Sequence, residues 1–323
     1  MPACRPWAVP PIWRRCRGRE ARHPRFETCL SGCEVSQIRS AGLAIACADC
    51  QRYCHVVPVS PKLAEVGMVR TIAHIINVTE LTEANRASYL HVAQPVTMKS
   101  MALARRLASD LVDVELWAIK HKSESVEIHE DFKWADPIER YAHECILSLR
   151  DEFPRRPLPL IKDILLGLYE ASNAEYFVYT NLDIGLYPDF YLKVDALIRD
   201  GYDGLCINRL TLPKVYQGVV LDAASLELAF MAEGERHSGS DCFVFRREIV
   251  PSLNLGNVFI GFPPVGKVLR GQIELCSKRF LWVKEMRCTF HLGDDLAWKS
   301  SSSQYAAENR KQAAGLYERR RDE

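Results

Sequence analysis

From Met68 onward the apolar positions fall into short runs that switch between strand-like and helix-like spacing. Thr71-Ile-Ala-His-Ile-Ile-Asn-Val78 is a β-branched apolar run and predicts a strand buried on both faces. Met98, Met101, Ala102 and Leu107 suit a helix, and Leu111 to Ile119 reads as a second strand, alternating at its start and continuous at its end. Residues 120–157 are polar and irregular, with one helical stretch near Pro137–Leu149. Leu160, Ile161, Ile164, Leu165, Leu168 and Tyr169 then form one apolar stripe at three- and four-residue spacing, the signature of an amphipathic helix. Strand Tyr176–Thr180, helix Phe190–Arg199 and strand Gly204–Asn208 follow, with later short strands at Asp241–Phe245 and Cys288–His291.

Strand–helix–strand alternation with short connections predicts an α/β domain on a mixed, mainly parallel sheet flanked by helices. The expected organisation has three parts. Residues 68–298 form the α/β domain, and residues 299–323 a charged, partly helical and solvated tail. Residues 1–67 read as a basic, Cys- and Pro-rich extension without core-forming periodicity: ten Arg or Lys stand against five Asp or Glu, and seven of the twelve cysteines lie there. A zinc site on Cys47, Cys50, Cys54 and His55, with Cys29 and Cys33 as a second pair, is the sharper alternative for that segment.

The rest of the composition narrows the class rather than the activity. Overall charge is balanced, 42 basic against 41 acidic side chains, so no global field points to nucleic acid or an anionic membrane. No apolar run approaches the roughly 18–20 residues of a membrane span. The expectation is a soluble, cytoplasmic protein, with peripheral membrane association left open.

Chemistry concentrates in Tyr179-Thr-Asn-Leu-Asp-Ile-Gly-Leu186, where an apolar strand ends in polar residues. In open α/β sheets, ligands bind beyond the carboxyl ends of strands. Asn181 and Asp183 are two residues apart and project to one side at a strand end. An amide and a carboxylate together make a hard-oxygen site for Mg²⁺ or Mn²⁺, whose remaining ligands come from phosphates and water. The competing reading is an Asx cap for the helix that Pro188 opens.

The stretch Leu158–Arg209 resembles the centre of GT-A-type glycosyltransferases. The likeness lies in Leu158-Pro-Leu-Ile-Lys-Asp-Ile-Leu, Tyr176-Phe-Val-Tyr-Thr-Asn-Leu-Asp-Ile-Gly-Leu and Gly201-Tyr-Asp-Gly-Leu-Cys-Ile-Asn-Arg209. It implies a nucleotide-diphosphate sugar as donor and a glycan, lipid or small-molecule acceptor. It also implies Mn²⁺ or Mg²⁺ at Asp183, with His291 as a further ligand. Asn181 stands where the family usually has an acid, which weakens the metal site or leaves the amide to ribose or a metal-bound water. Asp241, after the polar run His237-Ser-Gly-Ser, becomes the candidate acceptor base, or else a residue that only positions its loop. His74 and Asn77 fall where the family holds base and ribose, near Gln94, which opens a helix; Arg209 and Lys214 offer charge to a diphosphate. Two rival functions stay open: a sugar-phosphate nucleotidyltransferase, disfavoured by the absence of a Gly- and Arg/Lys-rich loop after the first strand, and a non-catalytic nucleotide- or glycan-binding protein, which Asn181 favours.

Overall fold

The computed structural model describes residues 69–82, 90–151, 156–213, 226–292 and 303–316, all within the unit Gly67–Glu323. The cysteines of residues 1–67, Lys214 and Asp294-Asp295 lie outside the described residues.

Apart from the helix near 137–149, the strands and helices anticipated from periodicity in the described residues are present, and four of them are longer than the pattern suggested. In chain order they are β1 (Arg70–Asn77), α1 (Leu90–Ala108), β2 (Val112–Ile119), β3 (Phe132–Trp134) and the single-turn α2 (Ala142–Cys145). Then come α3 (Ile161–Ala171), β4 (Tyr176–Thr180), β5 (Ile184–Leu186), α4 (Phe190–Arg199), β6 (Gly204–Thr211) and the short α5 (Leu226–Met231). β7 (Glu235–Arg246), α6 (Val265–Cys276), β8 (Phe280–Val283), β9 (Thr289–His291) and α7 (Ser303–Gln312) complete the series.

The strands form one nine-stranded sheet in the order β3-β2-β1-β4-β7-β6-β9-β5, with β8 paired to β6. β3, β2, β1 and β4 are mutually parallel, as are β6, β8 and β9; β7 runs antiparallel between β4 and β6, and β5 antiparallel on β9. The architecture is therefore α/β with a mixed, mainly parallel sheet.

Period-two alternation sorts the side chains onto two faces. Ile72 and Ile76 of β1 and Val178 of β4 pack under Met98 and Met101 of α1 and Phe190, Tyr191 and Val194 of α4. Ala73 and Ile75 of β1 and Phe177 and Tyr179 of β4 face the other way, against Ile164, Leu165 and Leu168 of α3 and Val268, Leu269 and Ile273 of α6. Both faces are covered, so the strands read as continuous apolar runs rather than as alternating ones. The end of α3 is fixed by Arg247, whose guanidinium donates to the carbonyls of Tyr169 and Ser172, 2.9 Å each, and stacks 3.9 Å over the Tyr169 ring. A cation there satisfies orphan carbonyls and complements the helix dipole.

Three expectations are corrected. The helix near 137–149 is only α2 followed by a 3-10 turn, Leu147–Leu149. His237–Ser240 lies inside strand β7 rather than in a loop. The tail is not a solvated appendix over residues 303–316. Tyr305 is fully buried and stacks 5.7 Å from Phe262, and Asn309 makes three hydrogen bonds of 2.8–3.0 Å to the backbone of Phe259 and Phe262. Burying one such aromatic stabilises the docked helix by about 1.5–3 kcal/mol. The same loop carries Gly256 at φ 52° and Gly261 at φ 86°, a left-handed backbone that favours glycine. Those glycines serve the turn geometry that α7 clasps. α6 and β8 were not read from sequence.

Candidate active site

β4 ends at Thr180, and the chain turns at once: the Ile184 amide donates to the Asn181 carbonyl at 3.2 Å and leads into β5. β5 lies against β9 with Ile184 opposite His291 and Gly185 opposite Phe290. A Cβ at position 185 would sit 2.2 Å from the Phe290 ring, so a glycine lets these two short strands close. The Leu292 amide donates to the Asp183 carbonyl at 3.0 Å, which ties the turn to the end of β9. Residues 108 positions apart thereby meet. His291 Nε2 lies 3.0 Å from Asp183 Oδ2.

β7, the strand paired directly to β4, completes the site. In the β6–β7 ladder Ile207 faces Cys242 but Asn208 faces Ser240, so Asp241 is the extra residue of a bulge. A bulge re-aims a side chain away from strict alternation. The Asp241 carboxylate consequently receives the Asn181 amide, Nδ2 to Oδ1 at 3.0 Å, and stands 2.8 Å from Arg209 Nη1 through Oδ2. Asp241 Oδ2 nevertheless has no hydrogen bond of acceptable geometry, so the Arg209 contact lies off the N–H axis and acts as a charge contact. The Asn181 backbone amide also donates to the Asp241 carbonyl, at 3.3 Å.

Five of the seven sequence candidates thus converge: Asn181, Asp183, Arg209, Asp241 and His291. The capping alternative for Asn181 and Asp183 does not hold, because β5 intervenes and the N-cap of α4 is Asp189. The two carboxylates differ electrostatically. Burial pushes Asp183 up, but the charge and hydrogen bond of His291, and then Arg209, outweigh it and hold the carboxyl below its ordinary value. For Asp241 burial prevails over Arg209, with repulsion from Asp183 added, and the carboxyl is raised. Environments that push two carboxyls apart are a mark of acid–base sites.

Asp183 Oδ1 is a buried carboxylate oxygen with no hydrogen-bond partner. An unmatched charged oxygen is costly unless something binds it. Among the described residues no group of three or more His, Cys, Asp or Glu is arranged around a metal position. The residues therefore suit a cation held by Asp183 and His291 with its other ligands supplied by substrate phosphates, as is usual for Mg²⁺-type sites. They do not suit an all-protein cage.

Two candidates fall elsewhere. His74 is wholly buried, its Nδ1 2.9 Å from the Tyr191 hydroxyl and its Nε2 2.9 Å from the Thr180 hydroxyl. Burial holds its pKa at about 3, so it is a neutral core histidine and presents nothing to a nucleotide. The β1 pattern of alternate inward positions, with Ile72 and Ile76 on the same face, accounts for it. Asn77 does end β1, but its amide donates to the Ile119 carbonyl at 3.0 Å and stitches the ends of β1 and β2 together. Gln94 accepts from the Thr79 amide at 3.0 Å and braces the loop after β1.

One neighbour went unread in the sequence. Tyr179, fully inside the core, donates its hydroxyl to Asn181 Oδ1 at 3.1 Å. The two-residue step 179, 181, 183 along a strand end was the available signal.

No family model matches the chain, and no curated protein matches it in sequence. Solved structures do. S. aureus TarS 1–349 in complex with UDP is similar with a TM-score of 0.43 at 9% identity, over 68% of this chain and 60% of that one. The M. tuberculosis glucosyl-3-phosphoglycerate synthase in complex with Mn²⁺, UDP and phosphoglyceric acid is similar with a TM-score of 0.42 at 16% identity, over 77% and 80%. The chain thus spans about 60% of the TarS fragment's length.

Proposed function

We propose that this protein is a glycosyltransferase that moves a sugar from a nucleotide-diphosphate donor to an acceptor hydroxyl with divalent-metal assistance. The observation that carries the reading is the convergence at the carboxyl end of β4: an Asp183–His291 pair with an unmatched carboxylate oxygen, beside a second carboxylate of raised pKa.

In the reaction the bond between the anomeric carbon and the diphosphate oxygen breaks, and a bond from the acceptor oxygen to that carbon forms. Asp183 and His291 would hold Mn²⁺ or Mg²⁺, which supplies Lewis-acid stabilisation of the leaving diphosphate without a proton transfer. Asp241 takes the proton of the acceptor hydroxyl as attack proceeds. Its raised pKa brings it nearer the range where a carboxylate removes a proton efficiently at neutral pH. Arg209, beside Asp241, adds fixed positive charge at the same place. A base on the acceptor side makes direct displacement with inversion the expected stereochemistry.

The nucleotidyltransferase alternative gains nothing from the fold, since the loop after β1 is braced by Gln94 and Glu124 through Thr79. Among the described residues no helix is long and apolar enough to cross a membrane. The deciding experiment measures nucleoside diphosphate released from a panel of nucleotide sugars with Mn²⁺ present. Turnover in the wild type that disappears in Asp183→Ala supports the proposal; donor binding without turnover in either protein points to the binding-protein alternative instead.

A further inference from the structure

Asn181 is the residue that departs from the family pattern, and its surroundings give it a use that an acid could not fill. Its amide has two chemically distinct ends: an oxygen that only accepts and a nitrogen that only donates. The Tyr179 hydroxyl meets the oxygen at 3.1 Å, and the Asp241 carboxylate meets the nitrogen at 3.0 Å. Both partners are on strands of the rigid sheet, Tyr179 on β4 and Asp241 at the bulge of β7.

We propose that Tyr179 and Asn181 are positioning residues: the Tyr179 hydroxyl locks the Asn181 amide in the one orientation whose Nδ2 holds the Asp241 carboxylate in place. The inference rests on the reading of Asp241 as the acceptor base. Rotating the amide by half a turn would set Asn181 Oδ1 against Asp241 Oδ1 and leave the Tyr179 hydroxyl without an acceptor at that oxygen. Both changes are unfavourable in a buried site, where an unpaired polar group costs most. Tyr179 stays protonated and able to donate, because burial and the nearby charges of Asp183 and Asp241 push its ionisation far up. An acid at 181 would instead bring a third carboxylate to within hydrogen-bond distance of Asp241, beside an Asp183 whose charge already acts on it. The amide thus lets the site carry two separated carboxylates, one for the leaving group and one for the acceptor. Asn181 acts on Asp241 and need not ligate metal.

The test compares wild type, Tyr179→Phe, Asn181→Ala and Asp183→Ala. Tyr179→Phe keeps the aromatic ring stacked on Phe243 and removes only the hydroxyl. The first readout needs no activity: hydrogen exchange of the Asn181 side-chain amide, followed by NMR on asparagine-labelled protein. Tyr179→Phe should speed that exchange at least tenfold. The second is Mn²⁺ binding by electron paramagnetic resonance, which Asp183→Ala abolishes while Tyr179→Phe and Asn181→Ala leave it within twofold. The third is turnover, where both positioning variants lower kcat roughly 10- to 10²-fold, as misplacing a reacting group does, with donor KM unchanged. Unchanged amide exchange in Tyr179→Phe, or loss of Mn²⁺ affinity in Asn181→Ala, overturns the proposal. If the wild type turns over no nucleotide sugar, the transferase reading fails, and the amide-exchange arm still decides whether Tyr179 sets the Asn181 amide.

Discussion

The two ends of β4 both gather charge, and they treat it in opposite ways. At the start of the strand a cavity of 260 Å³ is lined by Arg70, Glu175, Tyr176, Asp203, Arg246 and Lys278. Its arginines are matched by carboxylates: Arg70 pairs with the buried Asp195 at 3.0 Å, and Arg246 pairs in the open with Glu175 at 3.4 Å, the latter two side chains 37% and 45% exposed. An exposed pair such as Arg246–Glu175 contributes about 0–1 kcal/mol, and its two charges neutralise each other. At the far end Arg209, Asp241 and His291 are largely buried, Asp183 is partly so, and the two carboxyls are unequal: Asp183 is held down, Asp241 is held up, and one Asp183 oxygen is left unmatched. A hollow is not by itself a site. The proposed site lies where desolvated groups are incompletely satisfied, because there a ligand gains full electrostatic value.

That contrast can be pressed by removing one group at a time. Asp183→Ala should have the largest effect, a loss of nucleotide-sugar turnover of roughly 10³-fold, matching the several kcal/mol of Lewis-acid stabilisation lost. Initial rates at saturating Mn²⁺ read it, and turnover within tenfold of wild type would break the comparison. Asp241→Asn keeps the shape and removes the base, and should lower kcat by about 10²-fold with donor KM little changed. An equal kcat in this variant would leave Asp241 as a structural anchor of the bulge.

Behind the buried end, His74 should reveal itself through acid. Its folded-state pKa of about 3 lies below the ordinary 6.5, so the unfolded chain binds protons more readily. The stability it contributes is whole above about pH 6.5 and is lost as pH falls toward 3, at about 1.4 kcal/mol per pH unit. Urea unfolding at pH 7, 6 and 5 measures the slope, and His74→Gln should flatten it by that amount. The smallest effect belongs to the open end. Arg246→Ala should shift unfolding free energy by about 1 kcal/mol or less and leave turnover untouched. A strong loss of activity there would mean that the charged cavity, too, binds substrate.

The sequence by itself determined most element types and marked the polar turn at the end of β4. Strands β1, β2 and β4 and helices α3 and α4 announce themselves because a packed interior demands apolar residues at fixed periods. Asn181, Asp183, Asp241 and His291 stood out by residue type and by their expected places at strand ends, although Asp241 lies within β7. Local pattern could not reveal partners. Whether a histidine on a buried strand faces a helix or a carboxylate depends on what packs above it, and His74 and His291 look alike in sequence yet end against Tyr191 and against Asp183. Tertiary structure alone decided that β7 enters antiparallel beside β4, that a bulge turns Asp241 toward Asn181, and that α7 docks through Tyr305 and Asn309. Each of these is a contact between segments more than 40 residues apart. Such contacts are chosen by the packing of the whole chain, which no local window of residues encodes.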